Sequence, residues 1–172
     1  MKLFLFLTTF LLLNANASSL NIDSFQAEFI QTITDEKAKV LTYTGSVVAS
    51  KPKYALWKYT TPFTKEIYIN QNQVIVIEPE IEQVIFKRID TNLDFLQIMQ
   101  HAKEIAPNQY KAVFQNVVYI INLKNNKIDS IAYKDNFDNA IAITFSKQKE
   151  NQKIDEALFK PKIPLDFDII SE

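Results

Sequence analysis

Apolar and polar residues alternate along most of the chain after residue 23, and this period of two constrains the fold more than any other feature. The alternation falls into short runs separated by turn residues, which predicts about ten β-strands and one interruption. The predicted strands cover residues 24–33, 40–50, 54–61, 65–70, 73–77, 83–87, 109–114, 117–123, 128–133, 140–147 and 165–170. No internal repeat divides them, so we predict a single meandering antiparallel sheet.

The stretch over residues 45–63 shows the pattern most clearly, and it contains the only glycine and the only tryptophan of the chain. On its second strand Trp57 and Tyr59 share one face, while Tyr54 and Leu56 share the other. Both faces are therefore apolar or aromatic. We expect one of them to be covered by other parts of the chain and the other to line an apolar surface.

The interruption of the strand pattern is typical of an amphipathic helix. Thr91 and Asp94 form a predicted capping pair, Leu96 flanks the apolar face, and Pro107 ends the predicted helix. The helical i, i+3, i+4, i+7 spacing is carried by Phe95, Ile98, Met99 and Ala102. A second helical turn is predicted over residues 155–159. One helix in an otherwise β chain suggests a curved sheet whose concave face the helix covers as a lid.

Residues 1–17 have the pattern of a cleaved signal peptide: Lys2, an apolar run over residues 3–13, and the small residues Ala15 and Ala17. We expect cleavage after Ala17, one domain over residues 18–172, and a soluble exported protein, which in a Gram-negative host means the periplasm. The chain has no cysteine, so a disulfide framework is excluded. A net charge of −1 without a long basic run does not favour nucleic acid as a partner.

Several short motifs occur in one order along nearly the whole expected mature chain. They are residues 24–29 with Gln31, Gly45, residues 51–52, Trp57 with Pro62, residues 82–83, the helix over residues 92–99, and residues 155–159. In this ordered set the chain resembles the LolA family, the periplasmic carriers of outer-membrane lipoproteins. The resemblance implies an incomplete, half-open antiparallel β-barrel with a short helical lid over an apolar cavity.

The same resemblance implies roles for individual residues. Phe25, Phe29, Trp57 and Tyr59 would line the acyl-chain cavity, and Lys51 would fasten the lid. The lid helix itself would present Phe95, Leu96, Ile98 and Met99 to the cavity. The family usually has an arginine in place of Lys51, so a latch made by lysine should be less directional. The family also has a longer helix before the first strand, for which residues 18–23 leave room for about one turn.

Implied partners are lipidated proteins bound by their acyl chains, an inner-membrane lipoprotein-releasing ABC transporter, and an outer-membrane acceptor. The expected protein is a monomer without cofactor, metal or catalytic residues. Alternatives that the sequence leaves open are a binder of other lipids or glycolipids and a small outer-membrane β-barrel. Residue by residue, Trp57 and the helix face could be ordinary core, and Lys51 a solvated turn residue.

An enzyme has little support in the sequence. His101 is the only histidine, and there is no cysteine or glycine-rich loop, so the usual nucleophile–base pairs and phosphate-binding loops lack parts. Glu78, Glu80 and Glu82 around a proline could suggest a cation site, but their spacing matches no known ligand set. A solvated acidic loop is the better interpretation.

Overall fold

The structure is a computed structural model that describes residues 20–88 and 95–171. The predicted signal peptide and the predicted helix cap at Thr91 and Asp94 lie outside the described residues. The strands are β1 (Ser24–Thr34), β2 (Val40–Ser50), β3 (Tyr54–Thr61), β4 (Lys65–Asn70), β5 (Gln73–Glu78), β6 (Gln83–Arg88), β7 (Lys103–Ala106), β8 (Gln109–Phe114), β9 (Val117–Lys124), β10 (Lys127–Lys134), β11 (Ala140–Glu150) and β12 (Asp168–Ser171). One α-helix, α1 (Phe95–His101), and two 3-10 helices, Pro79–Ile81 and Glu156–Phe159, complete the described elements.

All twelve strands form one sheet in the order β12-β6-β5-β4-β3-β2-β1-β11-β10-β9-β8-β7. Consecutive strands are neighbours in the sheet from β1 to β6 and from β7 to β11, β1 pairs with β11 at the central junction, and β12 pairs with β6 at one edge. Within the described residues the outermost strands, β7 and β12, do not pair with each other, so the sheet is open. The predicted mainly β, half-open architecture with one helix is confirmed.

The sheet curves strongly about its central strands. β4 and β9 stand six positions apart in the strand order, which would separate them by nearly 30 Å in a flat sheet at about 4.8 Å per strand. Nevertheless Ile67 and Ile69 of β4 and Tyr119 of β9 line a single cavity of about 200 Å³. The two wings of the sheet must therefore bend toward each other around this cavity.

Each face of the sheet carries its own apolar cluster. On the inner face, Phe25 and Phe29 of β1 pack with the helix residues Leu96 and Met99, all four at most 2% exposed. On the outer face, the residues following β11 cross the β3–β6 wing. The outer cluster consists of Leu56, Tyr68, Ile75, Ile77, Val84 and Phe159, with Tyr54 and Phe167 among the residues packed against it. The alternation in β3 thus places its two apolar faces in two different cores.

Gly45 is required by space and not by backbone conformation, because its φ is not positive. A Cβ atom built on it would lie 2.0 Å from the carbonyl oxygen of Lys58 and 2.8 Å from the ring of Phe29. The pairing of β2 with β3 also shifts register between Thr44 and Gly45. The only glycine of the chain therefore lets β3 and an inner-face aromatic ring approach the backbone of β2.

The predicted helix is too long at its C-terminal end. Helix α1 ends at His101, and the next residues form β7, which pairs with β8 through Lys103↔Lys111 and Glu104↔Tyr110. Pro107 lies in the turn between these strands and does not end the helix. The helical spacing itself is confirmed, because Phe95, Ile98, Met99 and Ala102 are all buried. As a strand, residues 103–106 form backbone hydrogen bonds with β8. One more turn of helix could not form these bonds, because its backbone groups would bond within the helix.

The C-terminal strand is shorter than predicted and runs parallel to its neighbour. Strand β12 begins at Asp168 and pairs in parallel with β6. At its start the Asp168 amide donates a hydrogen bond to the carbonyl oxygen of Glu82 at 2.8 Å. Leu165, placed in the predicted strand, is fully exposed. The predicted turn at residues 155–159 is confirmed: Asp155 Oδ1 caps the 3-10 helix by accepting from the Ala157 amide at 3.0 Å.

Candidate functional site

The cavity between the two wings of the sheet is the candidate functional site. Its volume is about 200 Å³, and its wall is mostly apolar. The lining residues are Gln31, Trp57, Tyr59, Ile67, Ile69, Phe95, Ile98, Tyr119, Ile131, Tyr133 and Ile143. They come from β1, β3, β4, β9, β10, β11 and α1. No Lys, Arg, His, Asp or Glu is among them, so the cavity suits an uncharged ligand.

Four of the predicted site residues line this cavity, namely Trp57, Tyr59, Phe95 and Ile98. The other apolar residues predicted for the site lie in the core beside it: Phe25, Phe29, Leu96 and Met99 are almost entirely buried. Their assignment to ligand contact stays a prediction. In this structure they position the lining residues.

An aromatic cluster joins the helix to the sheet. The ring of Phe95 lies 5.0 Å from Phe25, 6.0 Å from Phe145 and 6.1 Å from Trp57, measured between ring centroids. Phe29 continues the cluster, with its centroid 5.2 Å from that of Trp57. Such edge-on and tilted pairs are each worth about 0.5–1.5 kcal/mol beyond the area they bury. These contacts hold α1 over the cavity.

The wall opposite Trp57 was not identified from the sequence. It consists of Tyr119, Ile131, Tyr133 and Ile143 on β9–β11, which reach the cavity because β1 pairs with β11. The alternation does place Ile131 and Tyr133 on one face of β10, so the sequence signal was present. What it lacked was the sheet order that turns this face toward β3.

Polar atoms of the cavity are concentrated in a glutamine and three tyrosines. The hydroxyl of Tyr59 donates to Oε1 of Gln31 at 2.9 Å. The rings of Tyr119 and Tyr133 lie 4.9 Å apart. Burial, helped by neighbouring tyrosines, raises the pKa of Tyr59 to about 12 and that of Tyr133 to about 12, and burial also raises the pKa of Tyr119. All three phenols are neutral hydrogen-bond donors at physiological pH.

Lys51 lies beside the helix, but its described side-chain partners belong to the segment before β1. Its Nζ forms an ion pair with Asp23 Oδ1 and contacts Asn21 Oδ1 at 3.4 Å. Lys51 also lines a shallow cavity together with Leu96, Gln97 and other residues of this corner. The described residues 20–23 contain no helix. The role of Lys51 as a latch on α1 stays a prediction. The contacts that Lys51 makes fix the position of the segment that leads into β1.

The remaining candidate residues are accounted for by other contacts. His101 is exposed, and its Nδ1 lies 2.8 Å from the carbonyl oxygen of Gln97. Glu80 accepts from the amide of Thr64 at 2.9 Å. In residues 20–88 and 95–171, no group of three or more His, Cys, Asp or Glu side chains could hold a metal ion. No helix in those ranges is both long enough and apolar enough to span a bilayer.

An open, curved sheet with a helix packed over an apolar cavity defines a class of β-proteins built to enclose an apolar ligand. The sequence model described as "Outer membrane lipoprotein carrier protein LolA" matches residues 20–162. That range includes every strand and helix except β12. The chain belongs to the LolA family.

Curated relatives agree with this assignment over most of the chain. A protein of Campylobacter jejuni named outer-membrane lipoprotein carrier protein is 40% identical over 154 residues, which are 90% of each chain. Proteins of the same name from Wolinella succinogenes and Helicobacter pylori are 33% and 34% identical, and each alignment covers 81% of this chain and 81% or 74% of the relative.

Among solved structures, an uncharacterized conserved protein from Thermus thermophilus superposes with a TM-score of 0.54 at 12% identity. The superposition covers 87% of this chain and 91% of that one. At this identity the likeness concerns the fold alone.

Proposed function

We propose that this protein is a periplasmic chaperone that binds the acyl chains of lipoproteins released from the inner membrane and carries them to the outer membrane. The observation that carries the proposal is the uncharged, mostly apolar cavity beneath α1. Membership of the LolA family and the names of the relatives support it. The protein acts as a carrier and not as an enzyme.

A carrier of this kind needs moderate affinity. Burying each methylene group stabilises by about 0.8 kcal/mol, so two or three long chains represent about 30 kcal/mol. Non-covalent affinities level off near about −20 kcal/mol, and a carrier that reached this limit could not release its cargo. Partial shielding of the chains is therefore sufficient, and a small cavity is compatible with the function.

The cavity must enlarge when cargo enters. Its volume of about 200 Å³ is below the roughly 300–1,000 Å³ of pockets that enclose drug-sized ligands. Helix α1 (Phe95–His101) is the element that can move, since it is held over the cavity by side-chain packing. Opening would separate Phe95 from Trp57, and acyl chains would replace the lost aromatic contacts.

Two further partners follow from this function. An inner-membrane ABC transporter that extracts lipoproteins would load the carrier, and an outer-membrane acceptor would unload it. The carrier would meet each of them as a monomer.

The test is a release assay. The full chain is expressed in a Gram-negative host and purified from the periplasm, then incubated with spheroplasts that contain labelled, newly made lipoproteins. We expect lipoproteins to appear in the supernatant in complex with this chain. No release by folded protein would contradict the proposal.

Two matched variants locate the binding surface. Leu96 is only 1% exposed, so Leu96→Glu would bury a carboxylate and test folding as much as binding. Ile69→Gln is the better variant, because Ile69 is partly buried and lines the cavity. Ile163→Gln is its control, since Ile163 is also partly buried but packs on the outer cluster. We expect lower release from the first variant and unchanged release from the second.

A further inference from the structure

The polar residues of the cavity gather toward one end of the central strands. Gln31 pairs with Tyr43 on β2 and with Ile143 on β11, close to the turn that joins β1 to β2. Helix α1 packs on the other end of β1, where Phe95 contacts Phe25. Gln31 lies six positions after Phe25, about 20 Å along an extended strand. The cavity therefore has an aromatic end under the helix and a polar end toward the turns.

Hydrogen-bond donors at the polar end are not all used. Tyr59 donates to Oε1 of Gln31, but the Gln31 amide nitrogen and the hydroxyls of Tyr119 and Tyr133 have no hydrogen-bond partner in the described part of the chain. No fully buried side-chain nitrogen or oxygen among the described residues lacks a partner. These donor groups are therefore not sealed in the protein interior, and the cavity is the space that their residues share.

The chemistry of these groups selects an uncharged acceptor. The Gln31 amide offers two N–H donors, and each phenol offers one O–H donor. Among the residues that the structure describes, no cationic side chain lines the cavity, so a phosphate placed there would lose its hydration without a compensating charge. A carbonyl oxygen needs only a neutral donor.

We propose that Gln31, Tyr119 and Tyr133 donate hydrogen bonds to the carbonyl oxygens of the ester groups that join the acyl chains to glycerol, while the hydrocarbon extends toward Trp57 and Phe95. This inference rests on the proposed function and adds to it a polar subsite that fixes the depth and direction of the lipid. The carrier then reads the linkage of a diacylglyceryl group as well as its hydrocarbon. Hydrocarbon contacts alone cannot make that distinction.

Competition between two lipids tests the proposal. The protein purified from the periplasm is loaded with a fluorescent apolar dye. The dye is then displaced with dioctanoylglycerol or with its dioctyl ether analogue, which lacks both carbonyl groups. Because hydrogen bonds to the carbonyl groups are made only by the ester, we expect it to bind about tenfold more tightly than the ether, which corresponds to about 1.4 kcal/mol. Equal affinity for the two lipids would overturn the inference and leave the proposed function standing.

Conservative variants assign the preference to named groups. Tyr133→Phe and Gln31→Met keep the shape of the wall, and we expect each of them to lower the ester-to-ether ratio with little change for the ether. Tyr43→Phe is the control, because Tyr43 contacts the Tyr59 ring at 5.8 Å but does not line the cavity. A ratio that stays near tenfold in Tyr133→Phe and Gln31→Met would overturn the inference. Displacement by neither lipid would overturn the acyl-chain cavity itself.

Discussion

Replacing Gly45 by alanine adds one methyl group at the point where the backbone of β3 and the ring of Phe29 approach the backbone of β2. Its Cβ would lie 2.0 Å from the carbonyl oxygen of Lys58, where an ordinary contact needs at least 3.4 Å. The shortfall is 3.4 − 2.0 = 1.4 Å. The Lys58 oxygen belongs to the backbone of β3, which pairs with β4 on its other side, so it cannot yield as a flexible side chain would.

The two contributions to the stability change have opposite signs. Gly→Ala stabilises many proteins by about 0.4–1 kcal/mol, because it restricts the unfolded chain. Here overpacking costs about 1–3 kcal/mol, and displacement of β3 weakens at least one ladder hydrogen bond worth about 1 kcal/mol. The clash prevails, and we expect the free energy of unfolding of Gly45→Ala to fall by about 2–3 kcal/mol. For a chain of this size that lowers Tm by about 4–12 °C.

Thermal unfolding followed by circular dichroism measures this shift. Thr42→Ala is the control, because Thr42 is exposed on the same strand, and its free energy of unfolding should change by only about 0.5 kcal/mol. Because the added methyl group also meets the ring of Phe29 at 2.8 Å, the dye affinity of the cavity should fall together with Tm. An unchanged or higher Tm for Gly45→Ala would refute the argument from close approach.

Three further perturbations test other parts of the structure. Phe159→Ala removes a ring that is 2% exposed and stacked on Tyr54 at the outer face of the sheet. Urea unfolding should show a free energy of unfolding lower by about 3–5 kcal/mol. Weaker lipid binding by the folded variant would contradict the separation of the two faces. Lys51→Met breaks a partly exposed ion pair with Asp23 and should lower the free energy of unfolding by less than about 1 kcal/mol. If Lys51 latches the helix, the backbone amides of α1 should exchange their hydrogens faster in this variant. Unchanged hydrogen exchange in α1 would argue against the latch. The pKa values of Tyr59 and Tyr133 are raised from 10.0 to about 12, so their contribution to stability is complete below pH 10 and is lost as the pH rises toward 12. The urea midpoint of the double variant, with Tyr59→Phe and Tyr133→Phe, should therefore fall less steeply than that of the unchanged protein over this pH range. Parallel curves for the two proteins would contradict the assigned pKa values.

Local features of the fold could be predicted because they depend on near neighbours in the chain. Strands β2, β4 and β8 have the predicted bounds, since side-chain alternation follows directly from strand geometry. Asn125 and Asn126 both have positive φ in the tight turn between β9 and β10, a backbone conformation that asparagine tolerates because its short side chain can hydrogen-bond locally. In each case the residues that determine the structure lie within a few positions of it.

Features that depend on distant pairing could not be predicted in the same way. Strand β7 follows so closely on the helical spacing that Ile105 fits either structure, and only pairing with β8 decides between them. The wall formed by Ile131 and Tyr133 faces Trp57 because β1 pairs with β11, across most of the chain. Asp23 meets Lys51 for a similar reason, because β1 and β2 are partners. Half of the cavity is thus a product of sheet order.

The open sheet has a consequence for how the protein behaves at high concentration. An unpaired strand edge is a template on which a second molecule can add its own strand, the first step of many aggregates. Both outermost strands, β7 and β12, are only four residues long, and charged side chains occur at the start of each, Lys103 and Glu104 in one and Asp168 in the other. Such short, charged edges make poor templates. A sheet that must stay open to admit cargo is in this way protected from polymerising along its own backbone.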